Sequence, residues 1–472
     1  MKTACVILAA GLGKRMNSAV PKVLHNVAGI PMIQSVVNTA LRLRPDKVIV
    51  VAGQHIDLIR KSLAAKGVVF ALQKEAKGTG HALLCARPAL GNLKGLVVVM
   101  NGDTPLLDPD TIKRFINLHK KNKNDISVIS FIAKNPGSYG RVVRDKSGKG
   151  LSIIEDKDAD QVQKKIHEVN SGVYVINSDA MSILKDIREN SLKGEYYLTD
   201  IVALAYQKGL KTSAYCIGSE EEFMGVNTRE ELYKASYLMK KNIIDKWTGK
   251  GVNFLDAGSV FIHPDAHIGR GTTVYPNVYI EGHTEIGRDS TIYPNVRILN
   301  SRIGNKVTIK DSTVIEDSDI KDRASVGPFA HIRPGSEIGS EARIGNFVEL
   351  KKAIVGSGTK ASHLSYLGDT KIGRGANIGA GTITCNYDGK KKHVTIIEDG
   401  VFVGSDSQLV APVRVGKGAY IGAGSTVTKD IPPGALAISR VEQRNILKWA
   451  RRKSAVSSQK SEARKGKGKK KV

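Results

Sequence analysis

Residues 262–298 read IHPDAH-IGRGTT-VYPNVY-IEGHTE-IGRDST-IYPNVR-I, so that every sixth residue is Ile or Val. A period of six fits neither an α-helix, which repeats every ~3.6 residues, nor a plain strand, which alternates every two. It is typical of a β-solenoid in which each six-residue side turns one aliphatic residue towards the axis. This stretch therefore predicts a solenoid of stacked hexapeptide sides.

The same spacing continues over most of the C-terminal half. After a five-residue step it resumes from Ile303 to Ile315, and after another from Ile320 to Leu350, with a last run from Val403 to Val427. The pattern resembles the left-handed parallel β-helix of hexapeptide acyltransferases, in which three sides make one coil of about 18 residues. We predict that fold for residues 251–453, which would end in a C-terminal helix.

The first 227 residues have a different sequence pattern, in which apolar runs alternate with amphipathic segments. This alternation predicts an α/β, Rossmann-like fold with a mostly parallel sheet. We predict a linker over residues 228–250 that contains a helix. The predicted strands are Cys5–Ala10, Lys47–Ala52, Leu96–Met100, Ile126–Ile132, Gly172–Ile176 and Thr212–Ile217, and the predicted helices are Met32–Leu43, Asp110–Lys121 and Thr228–Lys246.

Length and composition agree with a globular protein of several domains. The chain has 472 residues, of which 41% are hydrophobic and 25% charged, and its four cysteines are far apart. The cysteine spacing fits neither a metal site nor a disulfide framework, which favours a reducing, cytoplasmic location. No apolar stretch is long enough for a membrane span.

The net charge of +27 suggests nucleic-acid binding until it is located along the chain. Ten Lys or Arg residues and one Glu lie from Arg451 to the C-terminus, which is a third of the net charge. Residues 454–472 contain no aromatic residue and have little apolar surface, so we predict a disordered basic tail. We favour a solvated tail over one that contacts nucleic acid or an anionic membrane surface.

A glycine-rich turn follows the first predicted strand. Leu8–Met16 read LAAGLGKRM, and Pro21-Lys22 come shortly after. Such a turn lets backbone N–H groups approach phosphates, and Lys14, Arg15 and Lys22 would add three cations. A dinucleotide fingerprint would need a third glycine where Met16 stands, which argues against a nicotinamide cofactor. The string resembles the signature of sugar-1-phosphate nucleotidylyltransferases.

A carboxylate ends another predicted strand. Asn101-Gly102-Asp103 follow the buried run that ends at Met100, and ligands bind at the carboxyl ends of parallel strands. Mg²⁺ prefers oxygen ligands together with phosphates. Gln73 and the following Lys77–Gly80 stretch are interpreted as a base-recognising loop.

The solenoid arithmetic also predicts an anion site. Arg333 and Lys351 each follow an inward aliphatic residue and are one 18-residue coil apart, so they should be neighbours on one face. Two adjacent cations repel unless an anion lies between them. From position 356 the frame loosens around His363, which could act as a general base with Glu349 as its orienting partner.

Two further features belong to the same half. Residues 384–399 interrupt the repeat, and an insertion in a solenoid often covers a site. Ser405 and Ala423 each lie two positions after an inward aliphatic residue, 18 residues apart, and predict a column of small residues that fits a narrow thioester arm.

Together, these motifs resemble those of the bifunctional uridylyltransferase/acetyltransferases that make UDP-N-acetylglucosamine in bacteria, over residues 1 to about 452. The resemblance implies that the nucleotide is held by Leu8, Ala9, Ala10, Gly11, Lys22, Gln73, Gly78, Thr79, Asn101, Gly102 and Asp103. It assigns the sugar side to Gly140, Glu155, Asn170 and Asn227, with Asp103 and Asn227 as Mg²⁺ ligands. Asn101 departs from the Tyr that is usual in this family.

For the C-terminal half the resemblance implies an acetyltransferase site with His363 as the proton acceptor. Glucosamine-1-phosphate would be bound by Arg333, Lys351, Tyr366 and Asn377, and acetyl-CoA by Ala380, Asn386, Tyr387, Ser405, Ala423 and Arg440. The family further implies a homotrimer through the β-helix and a product that feeds peptidoglycan and lipopolysaccharide precursors. Two rivals remain: a nucleotidylyltransferase with a purely structural solenoid, and a nucleic-acid-binding protein.

Overall fold

The computed structural model describes residues 1–11, 13–63, 67–145, 150–190, 194–454, 456 and 457. Two compact units are present, Met1–Arg302 and Ile303–Val472. The first unit contains an α/β sheet, a long helix and several solenoid strands, and the second contains the remaining solenoid strands.

Eleven strands and six α-helices precede the solenoid within the described residues. The strands are β1 (Lys2–Leu8), β2 (Asn26–Val27), β3 (Ile30–Pro31), β4 (Lys47–Ala52), β5 (Val68–Leu72), β6 (Gly95–Asn101), β7 (Ile126–Ile132), β8 (Arg141–Arg144), β9 (Leu151–Ile154), β10 (Glu168–Asn177) and β11 (Thr212–Cys216). The helices are α1 (Met32–Arg42), α2 (Ile56–Ser62), α3 (Gly78–Leu90), α4 (Pro109–Lys121), α5 (Asp200–Gln207) and α6 (Arg229–Gly249). Short 3₁₀ helices occur at Lys14–Met16, Lys22–Leu24, Gln163–Lys165 and Ser178–Asp186.

The α/β sheet has the strand order β11-β7-β10-β6-β1-β4-β5, and β8 and β9 extend it beside β10. Along this path every neighbouring pair is parallel except the two pairs that contain β10. The predicted mostly parallel sheet is therefore confirmed. Parallel strands covered on both faces need apolar side chains at successive positions, and this explains the continuous apolar runs.

Helices cover both faces of this sheet. Alternate residues of β1 point to opposite sides, so that Val6 belongs to one core and Ile7 to the other. Helices α3 and α5 pack on the first face, and α1 and α4 on the second. The loops at the carboxyl end of the sheet are left to form a site between these layers.

Several predicted elements agree with the structure, and one does not. The strands at Lys47–Ala52 and Ile126–Ile132 have the predicted bounds, and the connecting helix α6 begins one residue later than predicted and ends at Gly249. The loop predicted at Lys77–Gly80 is wrong, because Gly78 is already the first residue of α3. The glycines at positions 78 and 80 concealed the start of this helix, since glycine has a low helix propensity.

Three columns of short parallel strands form the solenoid in each unit. In the first unit the columns consist of Asn253–Phe254, Thr273–Val274 and Thr291–Ile292; Phe261–Ile262, Tyr279–Glu281 and Arg297–Leu299; and His267–Ile268 with Glu285–Ile286. A further strand, Arg302–Ile303, lies at the division between the units.

The second unit also contains three columns, each with more strands than those of the first unit. The first column is Thr308–Ile309, Ser325–Val326, Arg343–Asn346, Lys360–His363, Asn377–Ile378, Phe402–Val403, Tyr420–Ile421 and Leu436–Ala437. The second is Val314–Glu316, His331–Arg333, Glu349–Lys351, Tyr366–Gly368, Ile383–Cys385, Gln408–Val410 and Thr426–Val427. The third is Asp319–Ile320, Glu337–Ile338, Ile354–Val355, Thr370–Ile372, Thr395–Ile397 and Val413–Val415.

The hexapeptide frame holds through the region where it was predicted to loosen. All the aliphatic positions of the predicted runs are buried, from Ile262 to Val427. After Leu350 the next inward residues are Val355, Ala361 and Leu367, and Leu350 pairs directly with Leu367. The predicted break at position 356 is therefore wrong. A five-residue step, the third in the solenoid, leads from Leu350 to Val355, and the six-residue spacing then continues one position earlier than the sequence pattern predicted.

The insertion is also shorter than predicted, because Thr384 is buried and pairs with Leu409 in the frame. Towards the C-terminus, residues 449–454 are helical, as are Val456 and Ser457. The predicted disorder is therefore wrong for Ser454, Val456 and Ser457, and the rest of the predicted tail, position 455 and residues 458–472, lies outside the described residues. No helix in the described ranges is both long and apolar enough to cross a bilayer.

Candidate functional site

A cavity of about 510 Å³ opens at the carboxyl ends of β1 and β6. Its walls come from the last residues of these strands and the segments that follow them, from the segment after β5, from α3 and from the loop before α5. Of the predicted nucleotide residues, those that line it are Leu8, Ala9, Ala10, Gly11, Lys22, Gln73, Gly78, Thr79, Asn101 and Asp103. Gly102 connects two of them and donates its N–H to the Leu8 carbonyl at 2.8 Å.

The glycine-rich turn lies against Lys22. Gly13 has a φ of +64°, and a Cβ at this position would lie 2.5 Å from Cβ of Lys22. Only glycine lets the turn pass this closely over the lysine stem. The predicted motif also includes Leu12 and the side chain of Lys14, which lie outside the described part, whereas Arg15 is exposed.

Lys22 joins the two residues that were predicted to bind a metal. Its ammonium donates to Oδ2 of Asp103 and, at 2.9 Å, to Oδ1 of Asn227. The Lys22 and Asp103 side chains are only 11% and 22% exposed. Although Asp103 and Asn227 are 124 positions apart in the sequence, their side-chain oxygens thus bind one cationic group.

Backbone contacts hold Asn227 in this position. The N–H of Val226 donates to the Asp103 carbonyl at 2.9 Å, which ties the segment before α6 to the end of β6. Thr228 then caps α6 in a capping box with Glu231, whose carboxylate also accepts from the Asn227 N–H at 2.5 Å. A rigid helix N-terminus therefore presents the Asn227 side chain to Lys22.

The residues predicted for the sugar side form a separate group. Asn170 donates its N–H to the Gly140 carbonyl at 2.8 Å, and the Glu155 carboxylate lies beside Gly140. Thr199 donates its hydroxyl to Oε1 of Glu155 at 3.0 Å. Among the described residues, these three do not line the nucleotide cavity, while Asn227 joins Asp103 through Lys22.

Some cavity residues were missed by sequence reasoning. Val23, Ala76, Ala82 and Glu195 also line the cavity. Glu195 lies in the loop before α5, far along the sequence from the motifs, and no local spacing distinguishes it. Its position is set by a backbone contact between Tyr196 and Lys77, whose N–H to O distance is 2.9 Å.

In the solenoid, Arg333 and Lys351 are register partners on adjacent strands. The predicted neighbour relation is therefore confirmed. Nη1 of Arg333 donates to Oε1 of Glu349 at 2.8 Å. The prediction that Glu349 orients His363 is wrong, because this carboxylate is engaged by the guanidinium one strand away.

A third cation, which the sequence reasoning did not assign, belongs to this group. The ammonium of Lys392 lies next to Lys351 and lowers the pKa of Lys351. Lys392 comes from the insertion, whose hairpin is closed around Asp388. The backbone N–H of Lys391, the imidazole of His393 and the N–H of Lys390 hold the pKa of Asp388 far below its usual range. The insertion thus adds a cation to the predicted anion site.

His363 is oriented by Asn346. Its Nδ1 lies 2.6 Å from Oδ1 of Asn346, and the two residues are register partners. An amide oxygen can only accept, so Nδ1 carries a proton, and in the neutral ring Nε2 is the nitrogen with the free lone pair. This is the tautomer that a general base requires.

His363 belongs to a file of residues on one solenoid face. The inward residues Ile344, Ala361, Ile378, Val403 and Ile421 are stacked in register. Two positions after each of them come Asn346, His363, Ala380, Ser405 and Ala423. The predicted column of Ser405 and Ala423 is therefore confirmed. It belongs to the same row of stacked residues as His363, from which Ala380 separates it. Arg440 adds a guanidinium, which donates to the Ala423 carbonyl.

The remaining predicted residues flank this file. A Cβ on Gly368 would lie 2.4 Å from the Tyr366 hydroxyl and 2.8 Å from Nδ2 of Asn386, so only glycine leaves room for these two side chains here. Asn377 pairs with Lys360 in the column that contains His363. Tyr387 is 59% exposed on the insertion.

The two folds and their polar groups define a nucleotidyltransferase joined to a hexapeptide-repeat transferase. Two family profiles match the chain: "MobA-like NTP transferase domain" over residues 5–164, and "Bacterial transferase hexapeptide (six repeats)" over residues 265–300 and 395–429.

Relatives match nearly the whole length of the chain. The "Bifunctional protein GlmU" of Thermodesulfovibrio yellowstonii is 49% identical and covers 95% of this chain and 99% of its own. The protein of the same name from Halalkalibacterium halodurans is 44% identical and covers 93% of this chain and 96% of its own. The one from Shouchella clausii is 45% identical and covers 93% of this chain and 97% of its own. The chain belongs to the GlmU family. It is a bifunctional transferase of UDP-N-acetylglucosamine synthesis, with a uridylyltransferase half that uses a nucleotide and an acetyltransferase half that uses an acyl donor.

Proposed function

We propose that the cavity at the end of β1 and β6 binds UTP, that the separate sugar-side group binds N-acetylglucosamine-1-phosphate, and that UMP is transferred to this sugar phosphate with release of pyrophosphate. Leu8–Gly11, Lys22, Gln73, Gly78, Thr79 and Asn101–Asp103 hold the nucleotide, and Gly140, Glu155, Asn170 and Asn227 hold the sugar side. The supporting observation is that ten of the eleven nucleotide residues line one cavity. Phosphoryl-type transfer needs positioning and charge stabilisation rather than protein acid–base chemistry.

We propose Mg²⁺ as the cofactor, with Asp103 and Asn227 as its protein ligands. Both side-chain oxygens already bind one cation, the Lys22 ammonium, and this supports the fit. One carboxylate and one amide oxygen suit an ion that takes most of its ligands from phosphates and water. Mg²⁺ would supply positive charge to the triphosphate. Lys22, once it is free of the two oxygens, would bind a phosphate.

Lys22→Met should strengthen metal binding to the nucleotide-free protein by about tenfold or more, because a competing ammonium at a poorly exposed site is removed. Mn²⁺ binding followed by electron paramagnetic resonance measures this affinity. The same variant should lose uridylyl transfer, since a phosphate-binding cation is absent.

The matched control is Lys47→Met. The Lys47 ammonium donates to the carbonyls of Ala89 and Leu90, at 3.0 and 3.3 Å, and is not part of the cavity lining, so Mn²⁺ affinity should stay unchanged. Equal Mn²⁺ affinity in Lys22→Met and the unaltered protein would show that the ammonium does not compete for these oxygens.

For the solenoid half we propose transfer of the acetyl group from acetyl-CoA to the amine of glucosamine-1-phosphate. His363 accepts a proton of the amine at Nε2 while the amine nitrogen attacks the thioester carbonyl. The C–S bond then breaks, and the thiolate takes this proton from the imidazolium and leaves as the CoA thiol. Arg333, Lys351, Tyr366 and Asn377 bind the sugar phosphate. Ala380, Asn386, Tyr387, Ser405, Ala423 and Arg440 bind acetyl-CoA along the file that leads to His363.

Lys392 should contribute to phosphate binding beside Lys351. Lys392→Ala is expected to raise KM for glucosamine-1-phosphate by about ten- to a hundredfold with little change in kcat, because a charge-assisted contact to the phosphate is lost. The control is Lys391→Ala, one residue away, which should leave KM unchanged. Initial rates of CoA thiol release measure both constants, and an unchanged KM in Lys392→Ala would exclude this contact.

One incubation tests both halves together. The protein is mixed with glucosamine-1-phosphate, acetyl-CoA, UTP and Mg²⁺, and free thiol and pyrophosphate are measured. Both products should form, with pyrophosphate dependent on acetyl-CoA. In a second incubation N-acetylglucosamine-1-phosphate is supplied directly. If pyrophosphate forms there but no thiol forms in the first incubation, the solenoid is structural, and the absence of both products would contradict the proposal.

We further propose the domain limits 1–227, 228–250 and 251–453, followed by a basic tail over 454–472. A homotrimer through the β-helix is proposed on the basis of the hexapeptide repeats. Sedimentation equilibrium should give three times the chain mass of 50.9 kDa, and a monomer would contradict it. All four cysteines are free, which supports the proposed cytoplasmic location.

A further inference from the structure

A hydrogen-bonded group beneath the nucleotide cavity consists of Gln73, Gly78, His81 and Cys85. Gln73 is 3% exposed and lines the cavity, and His81 and Cys85 follow on α3, one helical turn apart. None of the roles assigned above uses His81 or Cys85. The group connects the first turns of α3 to a residue that lines the cavity.

Both donors of the Gln73 amide are used within the protein. Nε2 of Gln73 donates to the Gly78 carbonyl at 3.1 Å and lies 3.0 Å from Nδ1 of His81. The reversed amide would set two acceptors against each other at Gly78, so the nitrogen must face this side. Its second proton then points to Nδ1 of His81, which accepts it.

This arrangement also defines the state of His81. With Nδ1 as acceptor, the ring proton is on Nε2, which faces Sγ of Cys85 at 3.8 Å. Sulfur is a weak acceptor at that distance. The chain of contacts therefore runs from Cys85 through His81 to Gln73, and it leaves Oε1 of Gln73 as the amide atom available to the cavity.

We propose that His81 is a positioning residue for base selection, which holds the Gln73 amide so that only its acceptor faces the base. The inference rests on the proposed function, in which the base of UTP lies in this cavity. Uracil presents an N–H at ring position 3 and can donate to Oε1. Cytosine presents an acceptor there, and it would leave two lone pairs facing each other. A site built around one such contact rejects the analogue that lacks it.

The test compares two substitutions of His81. His81→Phe keeps an aromatic ring but removes one of the two acceptors of Nε2, so the Gly78 carbonyl alone opposes rotation of the amide, and a larger fraction of molecules presents Nε2 to the cavity. We expect kcat/KM for UTP to fall about tenfold, the ratio typical of one lost neutral hydrogen bond, and the preference for UTP over CTP to fall at least as much. His81→Asn places an amide oxygen near the former Nδ1 and should restore most of the preference.

Pyrophosphate release is measured with UTP and with CTP, each in the presence of N-acetylglucosamine-1-phosphate and Mg²⁺. Acetyl transfer by the same preparation is the control that the solenoid half is intact. An equal fall for both nucleotides in His81→Phe, or an equal loss of preference in His81→Asn, would overturn the inference. If the unaltered protein released no pyrophosphate from UTP, the proposed function itself would fail.

Discussion

Asp103→Asn is expected to lower uridylyl transfer by about 10²–10³-fold while acetyl transfer stays unchanged. The change keeps the shape of the side chain but removes its negative charge, which weakens the proposed contact to the metal and removes the ion pair to Lys22. A loss of this size is typical when one preorganised electrostatic contact at the reacting centre is removed. Pyrophosphate and thiol release are measured on the same preparation.

The matched control for this variant is Asp108→Asn. Asp108 lies five residues further on and caps α4 by accepting from the N–H groups of Asp110 and Thr111 at 3.3 and 3.2 Å. Asparagine caps helices about as well as aspartate, so this variant removes one carboxylate charge without changing the site. Mg²⁺-dependent pyrophosphate release near the original rate in Asp103→Asn would show that Asp103 is not a metal ligand.

His363→Ala should have the opposite selectivity. Loss of a general base costs about 10²–10⁴ in rate. The three cations proposed to bind the phosphate, Arg333, Lys351 and Lys392, remain in place. Acetyl transfer should therefore fall in kcat, with little change in glucosamine-1-phosphate binding. Pyrophosphate release from UTP and supplied N-acetylglucosamine-1-phosphate should be unaffected.

Two further variants test whether His363 acts as a general base that Asn346 orients. Asn346→Leu leaves the imidazole in place but removes the oxygen that fixes its tautomer, so we expect an intermediate loss of kcat, about tenfold. His331→Ala removes another imidazole of the same solenoid, which lies 3.5 Å from Glu316, and should change little. CoA release above about a tenth of the original rate in His363→Ala would mean that another group accepts the proton.

The solenoid could be predicted because its period is local. One aliphatic residue in six satisfies the core of every side, and each parallel strand repeats the contacts of the one before. This regularity also allowed the pairing of Arg333 with Lys351 to be deduced from arithmetic. The same arithmetic failed after Leu350, since a five-residue step is invisible where Gly and Ser stand in the extrapolated positions and Ala361 is a weak signal for the core.

The nucleotide residues were predicted largely through motifs and resemblance, because β1 and β6 end in short polar strings whose position at the sheet edge follows from the parallel topology. Glu195 gave no such signal. It reaches the cavity through a loop whose path depends on contacts with the start of α3.

The amino-acid sequence by itself therefore determined the two folds, the positions of the main motifs and the stacked cations, since each of these depends on spacing along the chain. Only the tertiary structure decided which side chains meet: Lys22 with Asp103 and Asn227, Asn346 rather than Glu349 with His363, and Lys392 with Lys351. These pairings depend on the direction of side chains and on chain segments brought together by folding. A hydrogen bond is decided by tenths of an ångström, which spacing along the chain does not encode.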